Sequence, residues 1–507
     1  MTGELIVKPN TLYHFAVSFS IWITFSVLLL ILHQNKTPKT PFKRINILDT
    51  FPWLKRLIHH RGFQFAFILP NFIIFYLFIL SSLGGSPVGN RNIAIVFVWI
   101  LWWFVLKAIL VPFGGRIWCF VCPLPAPAEW LSRKRITAVK FIPHRYRGIY
   151  HRFTGLEHDW PKKLQNVWLQ NILFLLMISF GMILITRPIA TAFLFIVILG
   201  ITFLLSLIFR HRVFCRYLCP VGGFLGMYSM ASMTEIRVKD KEVCKKHKEK
   251  SCFSGGANGW ACPWNQYIGK MNRNTDCGLC TECIKSCPKD NIGIFIRPFG
   301  QDKNIKGYDE MYNLIIMLVV AIVFSAVMLG PWGFLKDAAN VTESGQITAF
   351  ILFFCTIWSL ALFIFPGLFV LFTKISNRLA KKPTSDRKLT LALAYILIPI
   401  GMFAWIAFSL PAIMINYGYI ISIFSDPLGL GWDLFNLANV HFKPFIPQWI
   451  PFIQGLVLLT GLYLGLTRGH DAIRVIIPAR PQRCLAMIFP SLYALFCINI
   501  LLKIFMG

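Results

Sequence analysis

The apolar residues of this chain fall in long unbroken runs, without the strict alternation of a half-buried strand. Ten runs are long enough to cross a bilayer core of about 30 Å as helices: 12–32, 63–83, 93–113, 168–186, 189–209, 312–335, 347–372, 389–415, 449–466 and 485–505. The polar stretches between them differ in charge. Lys36, Lys39, Lys43, Arg44, Lys55, Arg56 and Arg61 stand against Asp49 after the first run. Arg133-Lys134-Arg135, Arg145, Arg147 and Lys162-Lys163 follow the third, Lys381-Lys382 the seventh, and Arg468, Arg474, Arg480 and Arg483 the ninth. The intervening stretches hold Arg91, Arg187, Lys336 and Lys443, with Asp337, Glu343, Asp426 and Asp433. Basic loops stay in the cytoplasm, so the alternation predicts a multi-pass protein of the cytoplasmic membrane with both termini outside. The first run lacks a basic n-region and a cleavage site, which predicts a retained anchor. The expected organisation is a membrane domain over 1–209, a cytoplasmic module over 210–311 and a five-helix membrane domain over 312–507.

Within that module, residues 277–288 read Cys-Gly-Leu-Cys-Thr-Glu-Cys-Ile-Lys-Ser-Cys-Pro. The spacing C-x2-C-x2-C-x3-C-P is the bacterial ferredoxin run for [4Fe–4S] clusters. Its first three thiolates wrap three corners of one cubane, and the fourth serves a second centre. Structural zinc prefers two separated Cys pairs, and clustered cysteines beside prolines make a poor extracellular disulfide framework. Upstream lie Cys244, Cys252 and Cys262-Pro263. Exchange of the Cys-Pro cysteines between clusters assigns Cys262, Cys277, Cys280 and Cys283 to one cluster. The second takes Cys244, Cys252 and Cys287. Its fourth ligand is open: a membrane-edge cysteine, His247, or none.

An internal repeat supplies more thiols. Arg116-Ile-Trp-Cys119-Phe-Val-Cys122-Pro123 follows the third run, and Arg212-Val-Phe-Cys215-Arg-Tyr-Leu-Cys219-Pro220 follows the fifth. Proline favours the first position of a helix, so each Cys-Pro is expected to start a helix whose positive end faces the thiolates. Cys119, Cys122, Cys215 and Cys219 suit a third cluster or a soft-metal site. Two ferredoxin-type clusters are expected, with the hairpin site left open between those two uses.

Composition narrows the class. The 507 residues are 56% hydrophobic and 14% charged, with a mean hydropathy of +0.62, against about 25% charged in soluble domains. The net charge of +30 reads as basic cytoplasmic loops rather than a nucleic-acid surface. No histidine pair faces across the runs, which argues against a membrane b-type haem, and Ser344-Gly345-Gln346-Ile347-Thr348 reads as a polar turn rather than a flavin attachment site. Cys355, Cys484 and Cys497 read as small apolar residues. Lys107, late in the third run, either snorkels to the interface or lines a polar pocket such as a quinone site, and its position favours snorkelling.

The stretch from Arg212 to Gly222, the Trp118-Cys119 motif and the ferredoxin run together resemble the membrane-bound polyferredoxin family of the NapH/NosR/CcoG type, over residues 63–299. The resemblance implies cytoplasmic [4Fe–4S] clusters that carry electrons between the quinone pool or cytosol and an extracytoplasmic redox enzyme. Some members act instead in maturing copper enzymes. The chain departs from the family pattern in its first pair, Cys119-x2-Cys122, and in its five further spans.

The expected fold is therefore an α-helical polytopic membrane protein of about ten transmembrane helices with an inserted cytoplasmic ferredoxin-like 4Fe-4S module. The expected role is that of an electron-transfer subunit rather than a stand-alone enzyme. It would pass electrons between quinol or a cytoplasmic donor and a membrane or extracytoplasmic redox partner. The alternative is a copper reductase or assembly factor for a respiratory metalloenzyme.

Overall fold

The computed structural model describes residues 20, 24, 44–134, 136–137, 155–256, 258–302, 305–438, 440 and 442–506. The expected first span, 12–32, lies outside these residues apart from Ser20 and Thr24. Eight described helices are long and apolar enough to cross a membrane. They are α1 (Phe63–Gly84), α2 (Ile93–Gly114), α4 (Pro188–Ile208), α5 (Tyr308–Leu329), α6 (Ile347–Leu379), α7 (Asp386–Ser425), α8 (Pro447–Arg474) and α9 (Arg480–Met506). The run expected over 168–186 is broken. Helix α3 (Trp168–Ser179) stops at Phe180, and a second short helix, Gly181–Thr186, continues from it. Two local causes act together: Ser179 Oγ donates back to the Leu175 carbonyl at 2.7 Å, which bends helices, and Gly181 is a weak helix former.

The chain forms two compact units, one from Phe42–Asp302 with Ala412–Phe445, the other from Lys303–Pro411 with Ile446–Gly507. In the second unit α5 is enclosed on most sides, with Leu314 to Ala321 at most 1% exposed. Gly461, Gly465 and Gly469 form a stripe along α8 where a Cβ would press on Phe403, on the Ile396 carbonyl and on the Ile396 side chain. Small residues at this spacing let helix backbones approach closely.

The first unit holds every cysteine of the two repeats and of the ferredoxin-like loop. Its first hairpin, α1–α2, is closed by one side chain. Asn92, fully buried, accepts from the Ala94 N–H at 3.1 Å as the cap of α2 and donates to the Ser81 and Ser86 carbonyls at 2.9 and 3.0 Å. It thus satisfies orphan groups at the end of one helix and the start of the next. Helix α2 then ends on Gly115 at φ +59°, where a Cβ would meet Ser232 Oγ at 2.9 Å. That turn delivers Arg116 and Cys119. Lys107 does not reach for the interface: it is 1% exposed, with its ammonium 5.0 Å over the Trp103 ring. The apolar packing around α2 encloses the stem and holds the head inward.

Strands β1 (Ile45–Asn46), β2 (Thr234–Val238) and β3 (Ile292–Ile296) form one antiparallel sheet in the order β1-β3-β2. Thr234 pairs with Ile296 and Val238 with Ile292, so the sheet pins together the two ends of the cysteine-bearing loop. The basic stretch after the first apolar run is more than a topological signal. It supplies β1, the helix Pro52–His59 and the buried Leu48 and Ile58 to the core around the loop. Lys55 and Lys239 tie it down through Asp290 at 2.6 Å and Asp49 at 2.8 Å.

Replacing Asn92 with alanine leaves buried polar groups of two helix ends without their partner. The expected cost is about 2 kcal/mol, read as a lower thermal midpoint in detergent. Thr356→Ala, which removes only an exposed bond within its own helix, should leave the midpoint within experimental error. Equal midpoints for the two variants would contradict the role given to Asn92.

Candidate functional site

Eleven cysteines of the first unit sort into three groups, each lining its own pocket. The first group is Cys119, Cys122, Cys215 and Cys219, at the end of a cavity of about 380 Å³ that extends between the apolar helices to Asn71, Phe97 and Trp99. The repeat builds it. Cys119 sits on the single turn Trp118–Val121, and Cys215 on a widened π-type turn, Phe214–Leu218. Cys219 caps the helix Pro220–Tyr228, and its sulfur accepts from the Gly222 N–H at 3.2 Å. A Cβ on Gly222 would meet the Cys215 carbonyl at 2.6 Å, so only glycine brings the helix end this near. The Cys122-Pro123 motif does not begin a helix. Pro125 disfavours helical geometry at Leu124, and the next helix starts at Ala126.

Two arginines cross between the repeats. Arg116, three residues before Cys119, donates to the Cys215 carbonyl at 3.3 Å, and Arg212, three residues before Cys215, donates to the Cys119 carbonyl at 3.2 Å. Both are at most 4% exposed. Arg212 also holds Glu129 through both carboxylate oxygens, at 2.6 and 3.0 Å. Neither arginine stands out in the sequence as a functional residue beside the cysteines it serves. Their shared place before the first cysteine of each repeat was the signal.

The second group is Cys262, Cys277, Cys280 and Cys283. Leu279 and Thr281 take left-handed backbone at φ +51° and +62°, an uncommon state for non-glycine residues that clusters at ligand-binding loops. These two turns fold the Cys277–Cys283 run around its pocket. Trp264 packs on Gly278, where a Cβ would come within 2.2 Å of its indole nitrogen. Arg116 stacks on Trp264 at 4.3 Å and Arg216 donates to its carbonyl at 2.6 Å, so the first and second groups share Arg116 and Trp264 between them.

The third group is Cys244, Cys252 and Cys287, in a pocket also lined by His247, Tyr267, Lys289 and Asn291. Asn291 donates its backbone N–H to Cys287 Sγ at 3.4 Å and its amide to Cys244 Sγ at 3.3 Å. Cys252, Leu279, Ile284 and Ile292 pack in one apolar core against Cys277, Cys283 and Cys287, which joins this pocket to the second. Cys355 is exposed and Cys497 buried in the other unit, and neither lines these pockets, nor does Cys484.

Burial dominates the thiol chemistry. It pushes Cys122 and Cys252 up to about 12, and Cys219 and Cys277 to about 11, with neighbouring thiols adding to the rise at Cys122 and Cys252. Arg212 and the N–H of Leu124 act against it at Cys122. Thiols so buried ionise only when a metal takes the place of the proton. The donor set is four thiols, four thiols, and three thiols with an imidazole. With N–H groups aimed at several sulfurs, it fits iron–sulfur clusters. No three His, Cys, Asp or Glu side chains among the described residues are arranged to hold a lone metal ion.

The chain matches the family described as 4Fe-4S binding domain twice, over residues 95–142 and 191–238. The two matches contain the repeat cysteines Cys119, Cys122, Cys215 and Cys219. Among known proteins it is similar to the Escherichia coli protein named for electron transport, YccM, at 28% identity over 27% of this chain and 37% of that protein. The uncharacterized protein MJ0750 of Methanocaldococcus jannaschii is 25% identical over 45% of this chain and 87% of its own length. The methylamine utilization ferredoxin-type protein MauN of Paracoccus denitrificans is 27% identical over 35% and 59%. No solved structure matches. The two domain matches, the apolar helices and these relatives together support a protein of the membrane polyferredoxin type.

Arg212→Met leaves Glu129 without its bidentate partner and should destabilise the first unit by about 3 kcal/mol. The double variant Arg212→Met/Glu129→Gln should recover much of that loss, because no carboxylate is then left with Arg133, at 3.3 Å, as its sole remaining counter-ion. A double-mutant cycle on thermal midpoints measures the coupling, and additive losses would show that the pair is not coupled.

Proposed function

We infer that this chain is a membrane-bound iron–sulfur electron carrier whose three thiol groups each hold a [4Fe–4S] cluster. The observation that carries this reading is their succession. A cavity among the apolar helices ends on the first group, Arg116 and Trp264 bridge to the second, and one apolar core joins the second to the third. Each cluster supplies a one-electron store. The chain's residues set its surroundings: Arg116 and Arg212 compensate negative charge at the first group, and buried apolar side chains exclude water from all three. On this reading residues 210–311 are the cytoplasmic module, both termini lie outside, and Cys119, Cys122, Cys215 and Cys219 are cluster ligands.

The cavity suits a quinol as donor. It is large, almost wholly apolar, lined by Trp99, Trp102, Trp103 and Trp118, and it meets the thiols directly. A quinol bound there would pass one electron to each of two oxidised clusters, give its two protons to solvent at the mouth of the cavity and leave as quinone. A bilayer core of about 30 Å exceeds a single electron hop, so transfer to an extracytoplasmic partner needs a further centre in that partner or in the membrane. The name of the YccM relative agrees with electron transport. The competing reading is copper handling by Cys119, Cys122, Cys215 and Cys219 for a respiratory metalloenzyme.

Two measurements test these readings. Cys215→Ser/Cys219→Ser should remove about four irons per chain, the content of one cubane, and leave the other cluster signals intact by EPR. Unchanged iron with loss of bound copper would favour the assembly role instead.

The second measurement concerns the donor. Lys245, Lys246, Lys248 and Lys250 are exposed beside the third group. An acidic soluble donor would be steered by them, and its rate should fall as the Debye length drops from about 10 Å at 0.1 M salt to about 3 Å at 1 M. Reduction by a quinol analogue should be fast and nearly indifferent to salt and to Lys→Gln changes there. Fast, salt-sensitive reduction by a soluble donor, with none by quinol, would reverse the assignment of donor.

A further inference from the structure

The third pocket lacks a fourth thiol, and the residues around it narrow what replaces one. Cys244 lies in the short helix Lys241–Lys246, and His247 follows as its cap, with its N–H on the Val243 carbonyl at 3.2 Å. A three-residue separation at a helix end puts both side chains on one face. Both line the same pocket, with Cys252 and Cys287 completing it.

The other polar groups there are committed. Tyr267 donates its hydroxyl to the Cys244 carbonyl at 3.2 Å, and the Asn291 amide serves the Asp240 carbonyl and Cys244 Sγ. Lys289 ends in an ammonium, a donor without an acceptor lone pair. The half-buried imidazole of His247 has no hydrogen-bond or ion-pair partner among the described residues. The remaining cysteines of the unit line the other two pockets.

We propose that His247 ligates the fourth iron of the cluster held by Cys244, Cys252 and Cys287, making it a three-cysteine, one-histidine [4Fe–4S] centre. This rests on the iron–sulfur reading above and names its one unassigned ligand. Imidazole is an established replacement for thiolate at iron–sulfur iron, and the exchange raises the reduction potential because a neutral ligand replaces an anion. Lys245, Lys246, Lys248, Lys250 and Lys289 lie around the same site and act in the same direction. The third centre is then more easily reduced than an all-cysteine cluster in the same pocket would be.

The full-length protein, purified in detergent and reduced, tests the ligand directly. Pulsed EPR on protein labelled with ¹⁵N-histidine should show one strongly coupled imidazole nitrogen on one cluster. His247→Cys should abolish that coupling, keep the iron and cluster count of the wild type, and lower the potential of that centre. His247→Ala should lose the coupling and yield a three-iron signal on mild oxidation. A wild-type third cluster without strong nitrogen coupling, or coupling that persists in both variants, overturns the ligand while leaving the electron-carrier reading standing. Iron at the first two groups alone also overturns it. Absence of any iron–sulfur signal would sink the carrier reading itself, and the ligand with it.

Discussion

Everything in the first unit turns on the crossed arginines. Each repeat ends its hairpin with an arginine three residues before a cysteine, and each arginine bonds the cysteine carbonyl of the other repeat. Neither hairpin can therefore place its thiols alone. The crossing also spreads outward. Arg116 reaches Thr275, two residues before Cys277, and stacks on Trp264, two residues after Cys262. The Arg212 backbone N–H donates to Pro263 at 2.8 Å, and the His211 imidazole meets the Cys262 carbonyl at 3.2 Å. The same short motifs thus align the membrane hairpins with the ferredoxin-like loop.

This alters the meaning of the chain's excess positive charge. Basic stretches between the apolar helices account for part of the +30. Yet Arg116, Arg212, Arg237, Arg273 and Arg297 are buried in the first unit, where no topological signal is read. Arg237 and Arg297 share Glu235 and Asp302 in an ion network behind the sheet, which anchors the β2–β3 frame. Arg116 and Arg212 stand instead beside thiols. A guanidinium is the cation most readily buried in this way, being always charged and weakly hydrated.

Much of this was legible in the sequence. The apolar runs marked the described helices because bilayer length is a hard constraint, and the cysteine spacings sorted the loop thiols into the same sets that now line separate pockets. What escaped was set by contacts distant in sequence. The strand at Ile45 and the buried Leu48 lie in a stretch dominated by lysines and arginines, so charge masked a short contribution to the core. Lys107 read as a snorkelling residue because only its distance from the run's end was visible, and the apolar packing that encloses it was not. The break at Phe180 depends on a serine back-bond and one glycine inside an otherwise continuous apolar run. The helix start displaced by Pro125 was visible in principle, since a proline restricts the residue before it.

The geometry also bears on how the protein comes to be folded. Thiols as deeply buried as Cys122 and Cys252, with their acidities pushed to about 12, are poor metal ligands until the metal displaces the proton. Once ionised and metal-bound, they introduce negative charge close to Arg212 and Arg116. Before that, Arg212 has Glu129 as its counter-ion, whereas Arg116 has carbonyls and an aromatic face. Arg116 therefore gains most from cluster formation, and it is the residue that touches both the repeat and the ferredoxin-like loop. If the proposed clusters occupy both places, Arg116 would feel the charge of each, because it touches the repeat and the loop at once.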